Sequence, residues 1–335
     1  MTDGSARYFD LHCYVLKLVS ERSDFTRQLD WFVKALEIHP PESASAKPQA
    51  EIVCRETQGA NVFQGFEGIE PTTVQFEIYG EVQLLEGPKK IRYFKPDVFC
   101  LTLDGQNMSA ELEVSPECPH RYISLGSILA FDHSTRAGKA CLIHSACLDT
   151  KQGQRFLMLA ESGVGKTTTS LKLARSGMPL SGDDTTLVWI EDGHCVGFGI
   201  PRPARVSKDA LTRVAGLKEV VEPDKWDSGD EQELTREQLS TFVTVSEIAP
   251  KPIEAVIRLT RSRKGRASVV VTAPAEAMSA TLAENITMAR SGMTEHQMER
   301  FELYAHLFGN SACLQLELGS DDANFISDLE AAIQS

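Results

Sequence analysis

The segment Ala160-Glu161-Ser162-Gly163-Val164-Gly165-Lys166-Thr167 gathers two glycines, a lysine and a hydroxyl into one short stretch. Glycines let backbone N–H groups turn inward around phosphate oxygens, and a helix start adds partial positive charge. In such a loop Lys166 neutralises the β- and γ-phosphates of a nucleotide, and the Thr167 hydroxyl ligates Mg²⁺. The candidate phosphate-binding residues are Glu161, Ser162, Gly163, Val164, Gly165, Lys166, Thr167 and Thr168. Ala160 stands where the pattern usually has glycine; alanine serves there if no positive φ is needed. The flanks favour a phosphate-binding loop over an ordinary glycine turn. RFLMLA (Arg155 to Ala160) reads as a buried parallel strand. KTTTSLKLAR (Lys166 to Arg175) reads as a helix, stopped by Gly177 and Pro179.

Seventeen residues after Lys166 come Asp183 and Asp184, in MPLSGDD. Gly-Asp-Asp is ordinary turn chemistry when it stands alone. Behind a phosphate loop at this spacing, one carboxylate is suited to hold Mg²⁺ and the other to accept a hydroxyl proton. Upstream, ACLIHSACLD (Ala140 to Asp149) reads as one buried strand with His144 inside it. By itself His144 reads equally as a packed core residue or as a metal ligand or donor near the phosphates.

IHSAC, FLMLAESGVGKTTTSLKLARSG and LSGDD together resemble the catalytic domain of HPr kinase/phosphorylase and its HPr-kinase-related relatives. The match spans about residues 138 to 206 and extends to Gly199-Ile200-Pro201-Arg202-Pro203, which is similar to an FPRP-like segment. The resemblance implies a P-loop core of the type shared with phosphoenolpyruvate carboxykinase. It implies ATP and Mg²⁺ as cofactors, Lys166 and Thr167 as phosphate and magnesium residues, and a functional His144. It also implies metal binding mainly on Asp183, a general base at Asp184, and Arg202 as an anion contact. One departure concerns His194 to Gly199, which lacks the glutamate of the HPr kinase signature. That argues against HPr as the main acceptor. The chain is also short for a carboxykinase and shows no separate carboxylate-substrate motif.

The 335 residues suffice for a large core and two domains. An apolar fraction of 42% and a charged fraction of 24% suit a globular chain. A net charge of −13 argues against nonspecific binding to nucleic acid or anionic membranes. The eight cysteines include no CxxC pair and read as small buried hydrophobes in a reducing compartment. No signal peptide or long apolar run is evident, so the cytoplasm is the expected location. Arg258, Arg261, Arg263, Lys264 and Arg266 read as a solvated hairpin turn between two apolar segments, with a phosphate-substrate role as the alternative.

The expected fold class is α/β with an α+β N-terminal part. Residues 1–118 form a small α+β domain and 119–335 a P-loop kinase-like domain. The first has a strand over Tyr8 to Val19, a helix over Phe25 to Ile38, a loop over His39 to Ala50 and a hairpin turn at Asp104-Gly105. Arg121 to His133 reads as a helix leading into the second domain. Strands follow at 140–148, 155–160, 185–190, 194–199, 253–259 and 267–272. EPDKWDSGDEQE around Trp226 reads as a loop. Helices carry Met278, Leu282 and Ile286, then Met298, Phe301 and Leu307 after a Thr294–Gln297 capping box and before Gly309. A last one follows Asp321. The expected activity is Mg²⁺-ATP-dependent transfer of the γ-phosphate to a hydroxyl of a protein serine or a small molecule. The alternative is a nucleotide-binding regulatory protein with little turnover. Homo-oligomerisation is left open.

Overall fold

Leu16 and Leu18, Ala50, Ile52 and Cys54, and Ala110, Leu112 and Val114 repeat the strand period of two, and all are buried. The computed structural model describes residues 6–38, 47–59, 62–76, 79–262, 265–285, 295–319 and 325–334. Arg263, Lys264, Ile286, Thr294, Asp321 and most of the His39–Ala50 loop lie outside them. The architecture is mixed α/β, in two units of 1–139 and 140–335. Among the described residues no helix is long and apolar enough to cross a membrane.

The first unit is one sheet. Its strands are β1 (Arg7–Asp10), β2 (Val15–Ser20), β3 (Glu37–Ile38), β4 (Ala50–Glu56), β5 (Thr72–Phe76), β6 (Gly80–Glu86), β7 (Lys90–Lys95), β8 (Phe99–Asp104) and β9 (Ser109–Val114). They run in the order β3-β1-β2-β4-β9-β8-β7-β6-β5, with β2, β4 and β9 parallel. The single strand expected over Tyr8 to Val19 is a hairpin, because the chain reverses at Leu11 to Tyr14 with His12 at φ 66°. Helix α1 (Ser23–Val33) buries Phe25, Leu29, Phe32 and Val33, one face of a 3.6-residue period. It stops short of the expected Ile38: Glu37 is drawn to Arg7, whose Nε donates to Glu37 Oε1 at 2.6 Å, and joins β1 as β3. Helix α2 (His120–Ser134) belongs to this unit, not to the second. It packs on α1 and β9, with Gly126 close against Leu112. The division therefore falls at 139/140 rather than at the expected 118/119.

The second unit holds β10 (Cys141–Ile143), β11 (Ala146–Asp149), β12 (Arg155–Ala160), β13 (Leu180–Gly182), β14 (Thr186–Glu191) and β15 (His194–Gly199). After an excursion with β16 (Ala204–Ser207) and β17 (Glu231–Leu234) come β18 (Lys251–Arg261), β19 (Ser268–Val271) and β20 (Ala312–Leu318). Its helices are α3 (Lys166–Arg175), α4 (Ala210–Arg213), α5 (Arg236–Ser240), α6 (Pro274–Asn285), α7 (Glu295–Asn310) and α8 (Phe325–Gln334). The mixed sheet runs β10-β14-β15-β18-β12-β11-β13, with β20 between β18 and β19. Alternate residues of the central strands feed two cores. Phe156, Met158, Ile257 and Leu259 pack with α3 and α8; Leu157, Leu159 and Val256 pack with α6 and α7. Burial on both faces explains the unbroken apolar runs of β12 and β18.

Three expectations are corrected here. The strand expected over 140–148 is two strands that break at His144-Ser145. β10 pairs with β14, whereas β11 pairs with β12 and β13. The apolar segments flanking the basic run do not pair as a hairpin: Arg258 and Arg261 belong to β18 itself, and β20 lies between β18 and β19. The Trp226 region is more than a loop: its last residues form β17, and Trp226 packs against the α3-side core.

Candidate functional site

β12 ends at Ala160, which is in strand register with Leu259 of β18 and 4% exposed. Alanine therefore fits where glycine is usual. The positive φ values fall on Gly163 (79°) and Gly165 (111°), where glycine bears them without strain. Glu161 and Ser162 are exposed and Val164 is half-buried, closed by a Val164 N–H bond to the Glu161 carbonyl. Gly165 is the N-cap of α3 and offers no side chain, so no side chain caps the first-turn N–H groups of that helix, including that of Thr168.

Lys166 opens α3 and is 8% exposed. Its Nζ donates to the Asp183 carbonyl at 2.9 Å and to Asp184 Oδ1 at 3.1 Å. Thr167 Oγ1 donates to Asp183 Oδ2 at 2.7 Å. One turn on, Ser170 Oγ donates to Asp183 Oδ1 at 2.6 Å. Two hydroxyls of α3 thus fix both oxygens of a carboxylate that is 3% exposed. Asp184 is more open. Arg202 Nη1 donates to its Oδ2 at 2.6 Å, and His144 Nδ1 lies 3.3 Å from its Oδ1 and 3.1 Å from its carbonyl oxygen. Burial pulls the Asp184 carboxyl upward, but the charges of Lys166, Arg202 and His144 outweigh it and hold the group at about 2. Burial and the Lys166 charge push the His144 imidazole below its usual value, against the opposing pull of Asp184.

The break between β10 and β11 positions His144. A residue inside a buried strand would point into a core, but at the break its side chain is 44% exposed beside Asp184. The acidic pair follows β13, which meets Gly199 at two points. Ser181 Oγ accepts from Gly199 N–H at 3.0 Å, and Gly182 lies against Gly199, where a Cβ would stand 2.2 Å from the Gly182 nitrogen. Arg236 adds a third tie: its Nη1 donates to the Ser181 carbonyl at 3.0 Å and its Nη2 to the Ser246 carbonyl.

No protein-family model matches the chain, and no curated protein matches it. The family resemblance stated above rests on the quoted motifs alone.

Lys166, Thr167, Asp183, Asp184, His144 and Arg202, separated by up to 58 positions, are brought into one hydrogen-bonded group. Sequence reasoning missed Ser170 and Arg236, and favoured a turn for Arg258 and Arg261, which lie in β18. Ser170 was legible as a hydroxyl one turn after Thr167. Arg236 carries no local signal, because its partners are distant backbone carbonyls. Arg258 and Arg261 sit where a parallel neighbour of β12 delivers its carboxyl end, the usual ligand edge of such sheets. Among the described residues no cluster of three or more His, Cys, Asp or Glu side chains is placed to hold a metal ion. Thr167 Oγ1 and Asp183 Oδ2 are nevertheless a pair of hard oxygen donors. They fit Mg²⁺, which keeps several water ligands and needs few from protein.

Proposed function

We propose that this chain is an HPr-kinase-like phosphotransferase with a P-loop core, transferring the γ-phosphate of ATP to a hydroxyl. One observation carries the reading: Asp184 meets Lys166 and Arg202 while its neighbour Asp183 meets Thr167. The phosphate-binding lysine, a proton acceptor and an oxygen pair for Mg²⁺ are thereby adjacent. Mg²⁺ would be held by Thr167 Oγ1 and Asp183 Oδ2 and, when bound, supplies positive charge against the phosphates.

The side chains divide the work. Backbone N–H groups of the loop and the start of α3 cradle phosphate oxygens, and Lys166 Nζ turns from Asp184 to them. Asp184 then takes the acceptor's hydroxyl proton as the new oxygen–phosphorus bond forms and the bond to the β,γ-bridging oxygen breaks. Arg202 and His144 orient the Asp184 carboxylate. Ser170 holds Asp183 in place. The acceptor is a small hydroxyl compound or a protein serine.

A second reading, nucleotide binding with little turnover, draws support from the strong hold of three cationic or donor groups on Asp184. A carboxylate at about 2 is a weak base. Calorimetry with Mg²⁺-ATP, followed by a radiolabelled-ATP screen against cell extract and small hydroxyl compounds, separates the two. Binding with acceptor labelling supports the kinase; binding without labelling supports the regulator; no binding removes both.

A further inference from the structure

Arg258 and Arg261 take no part in the chemistry assigned so far. Both leave the carboxyl end of β18. Leu159 pairs with Arg258 and Ala160 with Leu259, so Arg261 reaches beyond the last residue of β12. Three positions apart on a strand, the two side chains leave on opposite faces of the sheet. Arg258 Nη2 lies 3.8 Å from Glu161 Oε1, at the start of the loop. The Arg261 guanidinium stands over Gly165, at the loop's end: a Cβ there would be 2.9 Å from its Nη2. Two guanidinium groups thus bracket the loop between its first and last residues.

Neither charge is well compensated. Glu161 is 72% exposed and its contact with Arg258 is long, so solvent screens the pair. Arg261 is exposed and makes no ion pair among the described residues. In a chain of net charge −13, cations collected at one mouth focus attraction for anions there. A guanidinium fork matches two oxygens of a phosphate or carboxylate, which a lone ammonium does not.

We propose that Arg261 binds an oxyanion at the mouth of the loop, outside the cradle of loop N–H groups, while Arg258, on the other face, adds its charge to the same edge. The inference rests on the phosphotransferase reading and adds a ligand group to that site. The oxyanion is a phosphate or carboxylate, and it comes either from the terminal phosphate of the nucleotide or from an anionic group on the acceptor.

The test is calorimetry on the full chain, wild type, Arg258→Gln and Arg261→Gln, with Arg266→Gln as an exposed control. The probes are Mg²⁺-ADP, Mg²⁺-ATP, and inorganic phosphate added to the Mg²⁺-ADP complex. Arg261→Gln is expected to weaken one phosphate-bearing probe about tenfold, roughly the worth of a charged hydrogen bond. Mg²⁺-ADP should stay within about threefold and the melting temperature should not change. A loss confined to Mg²⁺-ATP assigns the oxyanion to the nucleotide, and one confined to added phosphate assigns it to the acceptor. Equal losses on Mg²⁺-ADP, or no loss in Arg261→Gln, overturn the proposal while leaving the phosphotransferase reading intact. Failure of the wild type to bind any nucleotide removes that reading, and this inference with it.

Discussion

Lys166 Nζ stands 3.1 Å from Asp184 Oδ1, so the lysine of the loop is paired with the carboxylate assigned as the base. The pairing keeps a largely buried ammonium satisfied when no phosphate is present. On the proposed function, phosphate binding would compete with this internal partner, and proton acceptance by Asp184 would require Lys166 to have turned away to the phosphates.

Lys166→Ala should cost about 2–4 kcal/mol of ATP affinity, the scale of a charged hydrogen bond left unmade. The variant should still fold, since Arg202 and His144 continue to hold Asp184. Calorimetry on a variant with an unchanged circular-dichroism spectrum gives the answer. Unaltered ATP affinity would remove the phosphate-loop assignment.

The two aspartates should separate by phenotype. Asp184→Asn is expected to keep ATP binding and lower phosphoryl transfer about 10²–10⁴-fold. Asp183→Asn should instead raise the Mg²⁺ concentration needed for binding. Ser170→Ala, which releases Asp183 Oδ1, should do the same more weakly. Mg²⁺ titrations of nucleotide binding, beside turnover on an identified acceptor, read both. Wild-type behaviour in both aspartate variants would reduce the pair to a turn.

What could be read from the chain follows from how local each signal is. β12, the glycine loop and α3 are contiguous, so the apolar run, the glycines and the Pro/Gly-free stretch each carry their own meaning. β15 likewise spans the expected 194–199. The break at His144 was hidden because apolar residues on both sides are buried, one set by β14 and the other by β12 and β13. Composition records burial, not which strand supplies it. Arg258 and Arg261 were legible as charges, but their place at the loop depends on β18 lying parallel to β12, and nothing in residues 258 to 266 states that pairing. The glycines of HCVGFG have a packing reason that no local pattern shows: Gly199 lies on Gly182, and a Cβ at Gly197 would stand 2.6 Å from the Leu187 carbonyl.

Beneath the site, Asp149 is 2% exposed and accepts from Arg155 Nε at 2.9 Å, Lys251 Nζ at 2.6 Å and Ser246 Oγ at 2.9 Å. Burial pulls its carboxyl upward, but Arg155 and Lys251 hold it below the usual range. A depressed carboxylate stabilises the folded state fully above the unfolded value of ~3.9. That contribution is lost as pH falls through that value towards the lower folded one. Acid should therefore weaken the second unit below about pH 5. Asp149→Ala should cost about 3–5 kcal/mol at neutral pH, because the fully buried Arg155 then keeps only carbonyl partners at Gly197 and Ala249. Urea unfolding at pH 7 and pH 3.5 checks both: the wild type should lose stability on acidification, and the variant should lose less. Equal acid sensitivity in the two proteins would show that other carboxylates set the acid limb.

HPr should not be an efficient acceptor. By the resemblance of the quoted motifs, His194 to Gly199 would correspond to the glutamate-containing signature of HPr kinases, and β15 carries no carboxylate. Gly197 and Gly199 are committed to packing against Leu187 and Gly182, so this strand offers little side chain for recognising a protein surface. Acceptor choice lies in segments that vary on one scaffold. On the proposed function, the excursion from Ile200 to Pro250, whose Arg202 meets Asp184 and whose Arg236 meets the Ser181 carbonyl, would be the segment that selects the acceptor. Incubating the protein with ATP, Mg²⁺ and purified HPr should give little serine phosphorylation, while Mg²⁺-ATP binding stays measurable by calorimetry. Turnover on HPr within the roughly 1–100 s⁻¹ typical of kinases would overturn this expectation and make the missing glutamate irrelevant to acceptor choice.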